Sequence, residues 1–281
     1  MLTYFAAFLA EEGLKEQSIK TYLAALRYLQ VSMGLPDPRD TSSLPRLRLV
    51  LTGIRRTQAE SGVSAKRPRL PITPHILNGI RRLWESRPMR NDYIMPWAAV
   101  TLCFFGFFRA GEITVPTQEA FDARVHLCWG DVANDDRVNP QVVRAHLRRS
   151  KTDQFGSGVD VVVGRTGDCL CPVSAVCAYI AHRGSRPGPF FRFSNGTPLT
   201  KSRFVQIVRT ALEELGLPQD QFAEHSFCIG AATTAEQAGM EDSMITMLGR
   251  WNSAAFLRYI RTPKQDLASA TARLSVRSRQ S

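Results

Sequence analysis

Apolar residues recur at helical spacing through most of this chain and change to a period of two in one central stretch. Residues 3–9 and 17–34 carry the first helical patterns, and Ile19, Tyr22, Leu23, Leu26 and Leu29 fall on one face of the second. Pro36 and Pro38 close that helix, and residues 44–56, LPRLRLVLTGIRR, form a third with a basic outer side. Thr73 followed by Pro74 predicts a capped helix to about Ser86. Residues 91–112 give the most apolar helix of all. Between 121 and 165 the segments HLCWGDV, VVRAHLRR and VDVVVG alternate as short strands, broken at 134–136 and 156–158. Helices resume over 171–183 and 200–216, with the extended piece PFFRF and an Asn195-Gly196 turn between them. Two more helical runs break at Gly239, the second of them reading DSMITMLGRW, and a short helix is expected over 253–260. A helix start at Ser226 places His225 at the cap. The pattern is mainly α with a small antiparallel β-sheet.

Composition narrows the partners. The 281 residues are 44% hydrophobic, enough for a substantial core, and the net charge is +11. Such an excess of cations favours a polyanion, either nucleic acid or an acidic membrane surface. No apolar run is long enough to span a bilayer, and MLTYFAAFLAEEG reads as an amphipathic helix and not as a signal peptide. Residues 60–74, with Lys66, Arg67 and Arg69 among three prolines, read either as a solvated hinge or as a basic strap along phosphates. Six cysteines stand at 103, 128, 169, 171, 177 and 228; the Cys-x-Cys at 169–171 is too tight for the usual zinc spacing. Free thiols, no metal and no cofactor are expected. Neither a Walker-type glycine loop nor a carboxylate cluster suited to a metal is visible.

Two short stretches carry chemistry. At the end of the apolar helix, Arg109 and Glu112 stand three apart, placed for a local ion pair or for an anion site in which Glu112 orients Arg109. The second stretch, EHSFCIGAATTAEQAGMEDSMITMLGRWNSAAFLRYIR, runs from Glu224 to Arg261. It can bring the imidazole of His225, the indole of Trp251 and the phenol of Tyr259 to one place.

This second stretch resembles the C-terminal catalytic block of the tyrosine recombinases, the phage-integrase family, and looks closest to the branch in eukaryotic DIRS-like and Crypton mobile elements. That block reads His-x-x-Arg, then Gly-x-His/Trp, then the nucleophilic Tyr. His225, Trp251 and Tyr259 match, while Cys228 stands where the second arginine belongs. FRAGEI at 108–113 resembles the family's first arginine box, Arg-x-x-Glu. Lys151, in a Ser-Lys-Thr triplet at the turn side of the second strand, matches the catalytic lysine of the family's β-hairpin.

The resemblance implies a helical core-binding (SAM-like) domain over 1–65, a basic linker over 66–74 and an α+β catalytic domain over 75–281. It further implies duplex DNA as partner, a homotetramer on DNA, and a nuclear location if the source is eukaryotic or a cytoplasmic one otherwise. The reaction it implies is metal-free strand breakage and rejoining through a 3′-phosphotyrosyl link. Tyr259 would be the nucleophile, Lys151 the general acid, and Arg109, His225 and Trp251 the donors to the phosphate. Apart from the resemblance, Lys66, Arg67 and Arg69 on the strap are candidate DNA contacts, as are Lys201, Arg203 and Arg209 along a helix that could enter a major groove or carry ordinary surface charge. Because Cys228 removes a charged fork, cleavage should be weak or absent. A non-catalytic DNA-binding module on the same fold is the alternative.

Overall fold

The computed structural model describes residues 1–38, 44–62, 69–88, 90–149, 157–251, 257 and 259–261. Lys66, Arg67, Lys151, most of the helix expected over 253–260, and the tail from 262 onward lie outside them. The chain divides into two compact units, Met1–Pro68 and Arg69–Ser281.

The first unit is helical: α1 (Leu2–Glu11), α2 (Glu16–Ser32) and α3 (Leu44–Glu60). Its core is small, built from Ala6, Leu9, Ile19 and Leu47 with Phe5, Leu23, Leu51 and Ile54 packed on it. One polar side chain joins two helices. The Gln58 amide accepts from Glu16 N at 3.0 Å and donates to Leu14 O at 2.8 Å, which satisfies an orphan N–H at the start of α2. The α2 stripe only partly faces inward: Tyr22 and Leu29 are 53% and 54% exposed. Three short helices enclose a narrow seam, and those two positions lie beyond its edge. The helix stops before its prolines, because Gly34 adopts φ +74° and turns the chain with Leu35 N bonded back to Gln30 O.

In the second unit the end of the expected linker is docked. Leu70 N donates to Gln221 O and Ile72 N to Ser226 O, and the Ile72 side chain is fully buried. Arg69, expected on DNA, donates to the carbonyl of Asp220. Helix α4 (Pro74–Glu85) follows with Thr73 Oγ1 accepting from Ile76 N, as its sequence predicts. Helix α5 (Ile94–Phe105) is apolar on nearly every side and lies at the centre, packed against helix α7 (Pro172–Arg183) and helix α9 (His225–Gln237).

The antiparallel sheet runs β1 (Val132–Asn134), β2 (Val142–Leu147), β3 (Val159–Gly164), in that order. Val143 pairs with Val163 and Ala145 with Val161 on the buried face. The predicted HLCWGDV strand is mostly something else. Residues 129–131 form a 3₁₀ turn, because the Asp131 carboxylate accepts from Cys128 N and takes the Arg148 guanidinium, so only its last residue enters β1. Helices α8 (Lys201–Glu214) and α10 (Asp242–Gly249) complete the unit, and Gly239 at φ +76° separates α9 from α10. Helix α9 begins at His225 with Glu224 as its cap, one residue earlier than the sequence pattern suggests.

The extended segment 70–72 reaches α9 through a gap that only glycine leaves. A Cβ on Gly230 would meet Ile72 O at 1.7 Å. Replacing Gly230 by Ala is therefore expected to destabilise the protein by about 3 kcal/mol. Gly111→Ala is the control, since nothing lies within 4 Å of its Cβ position. Urea denaturation of both variants measures the difference; a Gly230→Ala variant as stable as Gly111→Ala would contradict the packing.

Candidate active site

The apolar helix expected over 91–112 is broken, and the break builds the site. Helix α5 ends at Phe105, Phe107 turns left-handed at φ +51°, and the short helix α6 (Ala110–Ile113) starts afresh. A side chain at Gly106 would strike the Phe108 ring at 2.4 Å, so glycine is needed at the bend. The bend makes Arg109 the cap of α6. Glu112 Oε2 accepts from Arg109 N at 3.0 Å, and its Oε1 accepts from Arg109 Nη1 at 2.8 Å. Ion pair and orienting carboxylate are the same contact.

A second guanidinium, unassigned by sequence, shares that carboxylate. Arg250 Nη2 donates to Glu112 Oε2 at 2.9 Å and to Phe107 O at 3.1 Å; Nη1 donates to Gly106 O at 3.1 Å and Leu248 O at 3.3 Å. The guanidinium lies over the Phe108 ring, 5.2 Å from its centroid. The side chains of Glu112 and Arg250 are 7% and 10% exposed. Arg250 caps α10 in a left-handed conformation, φ 54° and ψ 43°, which points its side chain back across the 106–108 bend. Two cations now share one buried carboxylate. The surplus positive charge favours an anion at the more open member, Arg109. The signal for Arg250 in the sequence is faint: an arginine between Gly249 and Trp251 at a helix end, where a solvated cation is the ordinary outcome.

Aromatic rings close the other side. The Tyr259 ring stacks on Trp251 at 4.9 Å and 15°, and on His225 at 6.4 Å and 6°. Trp251 also meets Phe107 edge-on at 5.9 Å, so the bend that places Arg109 touches the ring against which Tyr259 rests. The His225 Nδ1 is 3.7 Å from Glu224, whose other oxygen holds Lys201 at 3.1 Å. Arg109, Glu112, His225, Cys228, Trp251 and Tyr259, scattered over 150 positions of sequence, are thus linked in one neighbourhood. Lys151 lies outside the described residues.

Cys228 sits one turn deeper on α9 than His225. It is 2% exposed, and its Sγ lies 3.7 Å from Phe108 O and 3.9 Å from Phe107 O. Burial pushes this thiol up to about 11; Arg109 and Arg250 pull it down, and Glu112 pushes it further up. A neutral thiol facing carbonyls offers a phosphate nothing. All six cysteines carry free thiols.

The expected DNA contacts divide. Arg209 donates through Nε and Nη2 to Phe222 O, and with Arg69 it pins the loop before α9. Its fork is committed to a backbone carbonyl, whereas Lys201 and Arg203 on the first turn of α8 are exposed.

No protein-family model matches the chain. An integrase/recombinase XerD homolog of Selenomonas ruminantium is 24% identical over 254 residues, which span 88% of this chain and 68% of that protein. Among solved structures, the Tn1549 transposon integrase in complex with circular intermediate DNA superposes with a TM-score of 0.56 at 16% identity. That match covers 96% of this chain, the helical first unit included, and 83% of the other. The XerH site-specific recombinase bound to its palindromic difH substrate gives 0.54 at 14% identity over 74% of this chain and 54% of that one. The fold is that of the tyrosine recombinases, and the likeness to the XerD homolog supports the same family. None of these three is by name a DIRS-like or Crypton protein.

The position of Cys228 makes the fold sensitive to alkali. Below pH 9 the thiol is protonated in both states and contributes nothing. Above it the unfolded chain releases the proton while the folded chain holds it to about 11. Stability should therefore fall as pH rises from 9 to 11, by about 2–3 kcal/mol from this residue. Denaturation titrations at both ends of that window, on the parent and on Cys228→Ala, measure it; an equal loss in both proteins would remove Cys228 as the cause.

Proposed function

We propose that this chain, built on the tyrosine recombinase fold, binds duplex DNA and cuts it through Tyr259, with the cutting step slowed by Cys228. The observation that carries this reading is the Tyr259 ring held between His225 and Trp251 beside the Arg109–Glu112–Arg250 cluster. The phenol gives up its proton to solvent as its oxygen attacks a backbone phosphorus. A phosphotyrosyl bond forms, the bond to the 5′ oxygen breaks, and a proton reaches the leaving oxygen from Lys151. Rejoining runs the same steps backwards with a 5′ hydroxyl as nucleophile.

Charge on the nonbridging oxygens grows as the fifth ligand arrives. Arg109 meets it with a planar fork, His225 and the Trp251 indole with single donors. Glu112 keeps Arg109 aimed and Arg250 keeps Glu112 in place. Where the family has a second fork this chain has a thiol, and losing one such donor costs about 2.7–4 kcal/mol of barrier. The net charge of +11 supports a polyanionic partner, and the solved Tn1549 integrase and XerH were both captured on DNA. A tetramer assembled on DNA follows from the resemblance.

A second reading, a DNA-binding module that does not cut, is favoured by one observation: Cys228 is buried against carbonyls and puts no donor into the site. One assay separates the two. The protein is incubated with nicked duplexes drawn from a random-sequence pool, and denaturant-resistant adducts are collected. An adduct that Tyr259→Phe abolishes is expected, with its yield rate rising on the order of a hundredfold or more in a folded Cys228→Arg variant. Salt-dependent duplex binding without any adduct from either protein would leave the non-cutting module.

A further inference from the structure

Helix α9 touches Tyr259 twice, and only one of the contacts is through the ring. His225 at its start stacks on the phenol. Two turns further on, the Thr233 hydroxyl donates to the backbone carbonyl of Tyr259 at 3.2 Å and accepts from Arg261 N at 3.1 Å. Thr233 is among the few buried polar side chains of the described residues, 6% exposed. Its hydroxyl has a nearer route to satisfaction, since a helical threonine can bond the carbonyl one turn back. Here it is spent across 26 and 28 residues of sequence.

We propose that Thr233 is the positioning residue for Tyr259, an inference that rests on reading Tyr259 as the nucleophile. The hydroxyl fixes the backbone on both sides of Ile260, while His225 and Trp251 fix the ring. Helix α9 therefore sets the distance between Tyr259 and the imidazole from one rigid element. Residues 259 and 261 are thereby held from within the same chain before any DNA arrives. A hydroxyl is required because one atom must both donate and accept. Valine fills the same space and can do neither, whereas serine can do both.

The test uses the full chain and two readouts. The first is nitration of each tyrosine by tetranitromethane without DNA, resolved by peptide mass spectrometry. Thr233→Val should raise the rate at Tyr259 several-fold, and Thr233→Ser should restore the parent rate. The fully buried Tyr179 is the internal control for loosening of the whole unit. An unchanged rate at Tyr259 in Thr233→Val overturns the proposal, and so does a parallel rise at Tyr179. The second readout is adduct formation on nicked duplex under saturating DNA. The adduct rate should fall about tenfold or more in Thr233→Val with duplex affinity unchanged, and recover in Thr233→Ser. A fall in affinity with an unchanged rate overturns the assignment. If neither these proteins nor a folded Cys228→Arg variant forms an adduct, the strand-cutting reading fails, and the nitration result alone decides whether Thr233 holds Tyr259.

Discussion

One buried carboxylate organises the second unit. Glu112 receives Arg109 from its own turn and Arg250 from 138 residues later. Removing two cations and an anion from water costs several kcal/mol for each ion, offset only where the geometry is close and the remaining donors find acceptors. The 106–108 bend supplies those acceptors. Its carbonyls are turned inward by Phe107 at φ +51°, and Arg250 reaches them from its own left-handed position. Each irregular backbone feature makes sense only with the other. Trp251, the next residue, is thereby set against Phe107, and Tyr259 has a surface on which to stack.

The same arrangement holds the bend in shape around a neutral residue 228. Cys228 is small, buried and neutral, and it nests against the Phe107 and Phe108 carbonyls of the bend. Arg250 ties that bend to Glu112, and Glu112 holds Arg109 through two hydrogen bonds of its own. Geometry and charge are separable here. Arg109 is aimed by Glu112, and residue 228 adds no charge beside it.

Much of the fold was legible because it rests on local rules. Thr73-Pro74 announces α4 through a cap and a residue that needs no N–H; the alternating valines announce β2 and β3; Gly239 ends α9 with the φ that only glycine takes easily. The site was legible in part. Arg109 and Glu112 stand at helical spacing, and His225, Trp251 and Tyr259 fall in an order that resembles a known block. Misreadings came where a long-range partner overrode a local pattern. The 91–112 run looks like one helix because Phe107 and Phe108 are as apolar as their neighbours, and nothing nearby reports that Arg250 will draw the carbonyls out of line. Arg69 and Arg209 look like free cations and are bound instead to carbonyls of a loop more than ten residues away.

Sequence by itself determined most of the helices and the second and third strands, where glycine and proline punctuate them, and which residue types could carry phosphate chemistry. Those follow from side-chain periodicity and backbone sterics, which act within a few residues. Tertiary structure alone decided that Arg250 and Arg109 share one carboxylate, that Cys228 faces inward, and that Thr233 reaches Tyr259. Those depend on which distant groups are left without a partner once the core has closed, and burial makes each such group find one.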